Sequence, residues 1–377
     1  MTSRRTASRS ALAPFVALAV VIGACGGAAG RLPTTDQRPN ARLQELVAAA
    51  RAEGELALSW SPGFLDTPEE LRRETEAFNA LYGLALRVRF TPGGPTSEAA
   101  LRLLQEQQSG ATASTDVLLG TETQIVALQK AAALAPEQWS SWASNVSSLK
   151  LVAPGGVAVQ VQTRIPGITY NSRKLTGNDV PRSLADLLKP QYKGRVATTS
   201  DGAGFDRLGS PEVWGGQRTL DFVGRLRGQI GGVMSCGDEG RLLAGELDIF
   251  VLDCGSARVS QLKAEGTLIG WSVPADAALL RYLYMGVPKN AAHPSAARLW
   301  INFMLSRAAQ DLMYQYGYAD HHLLPGSRSF AEIDRSTKAG VKFYEVTVEG
   351  VQVEEASGAK PLAPQIQALL RDAAPRR

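Results

Sequence analysis

The sequence predicts an α/β fold in two lobes, each a mostly parallel sheet flanked by helices. Strand and helix patterns alternate three times in series between residues 41 and 133, the order that builds a parallel sheet covered on both faces. A second run of the same kind follows residue 157. The chain beyond residue 24 has about 350 residues, whereas a single hydrophobic core rarely grows past ~250–300.

In order along the chain, Ala41 to Arg51 reads as an amphipathic helix that stops before Glu53-Gly54. Leu56 and Leu58 alternate in a strand from Glu55 to Trp60. Thr67-Pro68-Glu69-Glu70 opens the next helix: Thr67 is the N-cap, Pro68 takes the first helical position, and Glu70 completes a capping box. Leu71, Thr75, Phe78 and Leu81 share its inner face, and Gly83 ends it. Leu84, Leu86, Val88 and Phe90 alternate as a strand. Ser97-Glu98 opens a helix that ends at Gly110, Asp116 to Leu119 is a buried strand, and residues 122–133 are helical again.

Val157, Val159 and Val161 mark a further strand, followed by Gly167 to Asn171. Ser183 caps a short helix containing Leu184, Leu187 and Leu188. Arg195 to Thr199 and Leu247 to Leu252 are strands, with a helix through Leu220 to Leu226 between them. Residues 296–316 form the clearest helix, with Leu299, Trp300, Phe303, Met304, Leu312 and Met313 turned to the core. The tail from 326 to 377 is weakly patterned and fits against either lobe.

The chain is formally +4, from 40 Lys and Arg against 36 Asp and Glu. Arg4, Arg5 and Arg9 fall within residues 1–24, which hold no acid, so the remainder carries 37 basic and 36 acidic residues. No run of five or more Lys and Arg occurs, so a nucleic-acid partner is excluded for want of a basic footprint. There is no dinucleotide or phosphate-loop glycine motif and no cofactor is expected. Gly209-Ser210-Pro211 lacks the flanking glycines of a nucleophile elbow. With three histidines, none beside such a serine, enzymatic catalysis is not expected.

Arg4, Arg5 and Arg9, the uncharged run from Ala11 to Gly23 and the small residues that follow describe an export signal, residues 1–24. Val21-Ile22-Gly23-Ala24-Cys25 resembles the bacterial lipobox, which implies cleavage before Cys25 and a lipid on its sulfur. Residues 25–40 then serve as a flexible tether. Cys236 and Cys254 remain as an even pair in an oxidising compartment. They either form a disulfide, worth about 3 kcal/mol for a loop of roughly 18 residues, or stay as two buried thiols.

Several segments resemble the extracellular solute-binding proteins of ABC importers, specifically the type 2 periplasmic-binding fold of the ferric-ion receptors and their relatives for organic solutes. Glu53-Gly54-Glu55 before the first strand, Tyr170-Asn171-Ser172, residues 181–195 (PRSLADLLKPQYKGR) and residues 287–306, with His293-Pro294 before an apolar helix, carry the likeness. It runs from about residue 53 to 326, and the 181–195 stretch is its most specific part. The resemblance implies a first lobe of residues 41–165 plus 273–325, a second of 166–272, and hinge strands between them. It implies a monomeric receptor on the outer face of the cell membrane that captures a small solute in the interlobe cleft and passes it to an ABC permease and its ATPase. Alternatives are a sensor lipoprotein signalling to a membrane partner, a ferric-ion receptor or an exported enzyme.

Ligands of open α/β sheets bind beyond the carboxyl ends of strands. The candidate ligand-binding residues are therefore Trp60, Ser61, Thr96, Ser97 and Thr121 from the first lobe, Ser200, Asp201 and Trp214 from the second, and Tyr170 and Tyr282 near the crossovers. The ferric branch uses adjacent tyrosines after the strand that here runs from Leu247 to Leu252, and none follow it. No metal is expected. Tryptophans near Asp201, Asp206 and Glu212 suit a cationic or polyhydroxyl solute.

Overall fold

The computed structural model describes residues 40–61, 65, 67–199, 202, 204–235, 237–252, 255–357 and 361–371. The export signal, Cys25 and the tether up to residue 39 lie outside these, as do Ser200, Asp201, Cys236 and Cys254. The first lobe runs through α1 (Ala41–Glu53), β1 (Glu55–Trp60), α2 (Pro68–Tyr82), β2 (Arg87–Pro92), α3 (Thr96–Ser109), β3 (Leu118–Gly120), α4 (Glu122–Lys130) and β4 (Val159–Arg164). The second contains β5 (Ile168–Asn171), β6 (Val196–Thr198), α5 (Gly216–Leu226), β7 (Ile230–Val233), α6 (Gly240–Ala244), β8 (Ile249–Val251), α7 (Ser256–Ala264) and β9 (Ile269–Ser272). The chain returns through β10 (Ala278–Gly286), α8 (Pro294–Met304) and α9 (Arg307–Gly317), and closes with α10 (Ser329–Lys338), β11 (Phe343–Glu345), α11 (Val348–Ala356) and α12 (Leu362–Arg371).

In the first lobe β1 and β2 are parallel, and a parallel bridge from Leu58 to Val117 ties β1 to the β3 segment. β10 lies antiparallel to β3 and β4 and parallel to β11. The second sheet has the order β7-β6-β8-β5-β9, with β6 parallel to both β7 and β8. Both sheets are thus mixed. Each antiparallel pair includes β4, β5, β9 or β10, the strands that carry the chain between lobes. A strand leaving a lobe is answered by one that returns, and the two run in opposite directions.

Leu56, Leu58 and Trp60 alternate inward along β1 and join Phe78, Trp300 and Phe303 in the first core. Phe78 meets Trp300 and Phe303 edge-on at centroid distances of 5.2 and 5.6 Å. The single helix expected over 296–316 is two, because Ser306 starts α9 as an N-cap whose Oγ accepts from Ala309 N at 3.2 Å. Glu70 does not complete a capping box. Its Oε1 accepts from Leu65 N at 3.1 Å, while Thr67 Oγ1 caps α2 from Glu70 N. The tail divides between the lobes: β11 extends the first sheet, α11 packs on α4, and α12 packs on α5 with Ile366 and Leu370 in the second core.

The most recognisable sequence segments are scaffold contacts. Glu53 accepts from Ser295 N and Ala296 N at 3.0 and 2.8 Å, satisfying free amides at the start of α8. Asp116, buried between β1 and α8, accepts from Ala57 N at 2.7 Å, His293 N at 2.9 Å and the His293 ring at 2.8 Å. Within 181–195, Asp186 accepts from Arg182 N and Ser183 N, both at 3.0 Å, and Tyr192 donates to Asp179 O at 2.8 Å.

Candidate functional site

The carboxyl ends of β3 and β4 and the start of β10 meet at one edge of the first sheet. There the register sets Arg281 directly opposite Arg164 and Tyr284 opposite Gly120. The chain leaves this lobe just after Arg164 and returns between Ser272 and Ala278. Gly167 lies on the outgoing crossover. A Cβ there would sit 2.3 Å from Trp271 Nε1 and 2.8 Å from Ser272 O, so this crossover lies against the end of β9 only because the residue has no side chain.

Charged groups from both lobes collect at this seam. Arg281 pairs with Glu122, the first residue of α4, whose side chain is fully buried. Arg207 of the second lobe pairs with Asp206 at 2.7 Å and with Glu354 of α11 at 3.3 Å. Burial opposes the Arg207 charge, but Asp206, Glu354 and Glu122 outweigh it and raise its pKa. Arg164 differs. Its Nε reaches Gln162 Oε1 at 3.4 Å, and among the described residues no carboxylate pairs with it. It is solvent-accessible, yet desolvation, followed by the Arg281 charge, lowers its pKa. Glu122 Oε2 and Arg281 Nε are both buried without a hydrogen-bond partner.

Behind this edge lies a closed polar cluster. Tyr282 donates to Glu345 Oε2 at 2.9 Å and stacks on His321 at 5.5 Å between centroids. Gln160 Nε2 donates to Tyr284 Oη at 3.0 Å. His321 Nδ1 accepts from Leu323 N at 3.2 Å, so its other ring nitrogen, 3.1 Å from Gln160 Oε1, carries the proton and donates. Burial, then the neighbouring His322, lowers the His321 pKa to about 3. Thr163 Oγ1 accepts from His322 N at 3.1 Å and shares a hydrogen bond with His322 Nδ1 at 2.8 Å, and burial lowers the His322 pKa. Both imidazoles are neutral.

The structure redistributes the residues expected to bind. Trp60 is 1 % exposed, with its ring 5.4 Å from Phe90. It shares the inward face of β1 with Leu56 and Leu58 and belongs to the core, which corrects the stacking role. Tyr282 is buried and its hydroxyl is committed to Glu345, a second correction. Trp214 Nε1 donates to Asp276 O at 2.9 Å, and the Arg218 guanidinium sits 4.5 Å over its ring. The chain's own cation thus fills the stacking position once assigned to a solute, and Asp206 is likewise taken by Arg207. Trp214 lines a cavity of about 680 Å³ with Asp221, Arg225 and Asp276, which none of the seam residues line.

Thr121 caps α4, with Gln124 Oε1 accepting its N–H at 3.0 Å and its hydroxyl at 2.5 Å, one residue from Glu122. Thr96 and Ser97 occupy the first two positions of α3, half-buried and exposed; Pro95 precedes them, so Ser97 is not the cap. Ser61 is half-buried at the end of β1. Tyr170 packs its ring against Gly270, where a Cβ would stand 2.2 Å from Cε2. The residues that sequence reasoning passed over are Glu122, Arg164 and Arg281. Arg281 had a legible signal: it is the one charge within Ala278–Gly286. Among the described residues no group of three or more His, Cys, Asp and Glu is arranged to hold a metal ion, and no helix is long and apolar enough to cross a membrane.

The model of the family described as bacterial extracellular solute-binding protein matches residues 75–342. Over 142 residues the chain is 30 % identical to the Fe(3+)-binding periplasmic protein of Serratia marcescens. That stretch covers 36 % of this chain and 39 % of that protein, well under two thirds of its length. Iron-bound HitA from Pseudomonas aeruginosa superposes with a TM-score of 0.64 at 19 % identity, over 85 % of this chain and 99 % of that one. The substrate-binding protein of an ABC transporter from Agrobacterium tumefaciens does so with a TM-score of 0.66 at 15 % identity, over 84 % and 94 %. At these identities the likeness is one of fold.

Proposed function

The chain belongs to the bacterial extracellular solute-binding proteins, and from that premise we propose that it is the lipid-anchored receptor of an ABC importer. It captures a small solute at the seam between its lobes and delivers it to a membrane permease. The lobes divide near residues 165 and 272, Cys25 carries the lipid, and Cys236 and Cys254 form a disulfide. The observation that supports capture at this place is the gathering of charged groups from both lobes, Arg164, Arg281 and Glu122 with Asp206 and Arg207, beside the segments that join the lobes. A ligand touching groups of both lobes there stabilises the closed form by its differential contacts, as a hinge receptor requires.

A thermal-shift screen of the purified protein against amino acids, sugars, polyamines, organic acids, phosphate esters and ferric citrate tests this reading. A solute at 100 times its dissociation constant adds about 2.7 kcal/mol, a shift of several degrees. A folded protein that no solute shifts would remove the receptor reading. Anchoring is tested separately: Cys25→Ala should release the protein from the membrane fraction, and retention would refute the lipid.

A further inference from the structure

We propose that the solute is an oxyanion, a small molecule carrying a carboxylate or phosphate that the Arg164 guanidinium holds in the interlobe crevice beside Arg281. This deepens the receptor reading and rests on it. Two like charges directly opposite on antiparallel strands repel, and the register places Arg164 and Arg281 in that relation. Glu122 pairs with Arg281 and not with Arg164, and the other described seam acids, Asp206 and Glu354, are engaged by Arg207. Arg164 keeps its charge, an open path to water and a single long contact to an amide oxygen.

A planar fork of donors that no carboxylate among the described residues engages, at the point where the lobes join, matches the geometry of a carboxylate or phosphate. Such a group would also relieve the repulsion between the two arginines. The two buried, unpartnered atoms next to it, Arg281 Nε and Glu122 Oε2, are one donor and one acceptor. They complement a solute whose acidic group is flanked by a hydroxyl or amine. Two of the groups that suggested a cationic or polyhydroxyl solute are engaged within the chain, Trp214 by Arg218 and Asp206 by Arg207.

Isothermal titration of the purified protein with inorganic phosphate, glycerol phosphate, glucose 6-phosphate, succinate, citrate and glutamate tests the proposal, with putrescine and glucose as cationic and neutral probes. The expected result is a hit among the oxyanions, confined to the phosphates or to the carboxylates according to the headgroup. Arg164→Gln should weaken it by about 10- to 100-fold, as loss of a charge-assisted pair does. It should leave the melting temperature of the ligand-free protein unchanged or higher, since a repulsion is removed; a purely structural Arg164 would lower it. Binding of putrescine or glucose alone, or an oxyanion affinity indifferent to Arg164→Gln, overturns the proposal while the receptor reading stands. Absence of binding by any solute in this panel and in the wider screen overturns both.

Discussion

Protonation of His321 should make the protein acid-sensitive by a calculable amount. The ring is fully buried and its neutral form is completely satisfied: Nδ1 accepts from Leu323 N, and the opposite nitrogen donates to Gln160. A second ring proton would point at the Leu323 N–H, in a site where His322 stacks at 5.3 Å. The folded-state pKa therefore falls to about 3 from an ordinary 6.5. The sign follows from proton uptake. Below 6.5 the unfolded chain binds a proton that the folded chain refuses, so stability is full above 6.5, declines as pH falls, and levels off near the folded value. At pH 5 the loss from this group relative to pH 8 is about 2 kcal/mol. That figure depends on the unfolded pKa and would be the same were the folded value 3 or 4. Urea unfolding of the parent and of His321→Gln at pH 8, 6 and 5 reads it as a difference in slope, which cancels every other titration common to both chains. The parent should lose about 2 kcal/mol more than the variant between pH 8 and 5. Equal losses would refute the reasoning and place the acid sensitivity elsewhere.

Other perturbations follow from the same contacts. Glu53→Ala removes both acceptors from the start of α8 and should cost about 1–2 kcal/mol in chemical denaturation; a loss under about 0.5 kcal/mol would mean that water replaces the cap. Trp60→Ala should destabilise by about 3–5 kcal/mol, whereas Trp60→Phe should bind solute as the parent does, and a selective loss of affinity in it would restore the ligand role. Gly167→Ala drives a methyl into the Ser272 carbonyl and the Trp271 ring and should cost about 2 kcal/mol or more in thermal unfolding; an unchanged melting temperature would show that the end of β9 gives way freely.

Much of the fold was legible because periodicity and helix-end chemistry are local. Thr67-Pro68 and the inward leucines of β1 act within a few residues and appear where expected, whereas the strand read over 84–90 begins only at Arg87 and runs to Pro92. Errors arose where distant groups compete. Glu70 is drawn from its cap to Leu65 N, and the apolar run of 296–316 hides a break because Ser306 finds better use as a cap than as a helical residue. The stretches that made the family recognisable proved to be scaffold. Glu53, His293 and Asp186 tie loops to helix starts, and such contacts constrain residue identity whatever the solute.

By itself, then, the sequence determined the α/β class and the kinship, since these rest on local pattern, chain length and short motifs that a single strand of text displays. Only the tertiary structure brings together the groups of the proposed site. Arg164 and Arg281 are 117 positions apart in the chain, and nothing in either neighbourhood says that they will face each other. Antiparallel pairing of an outgoing and a returning strand brings them together, and among the described residues Glu122 pairs with Arg281 and Asp206 with Arg207. What a charge can bind depends on which opposite charges reach it, and that is a property of three-dimensional neighbours.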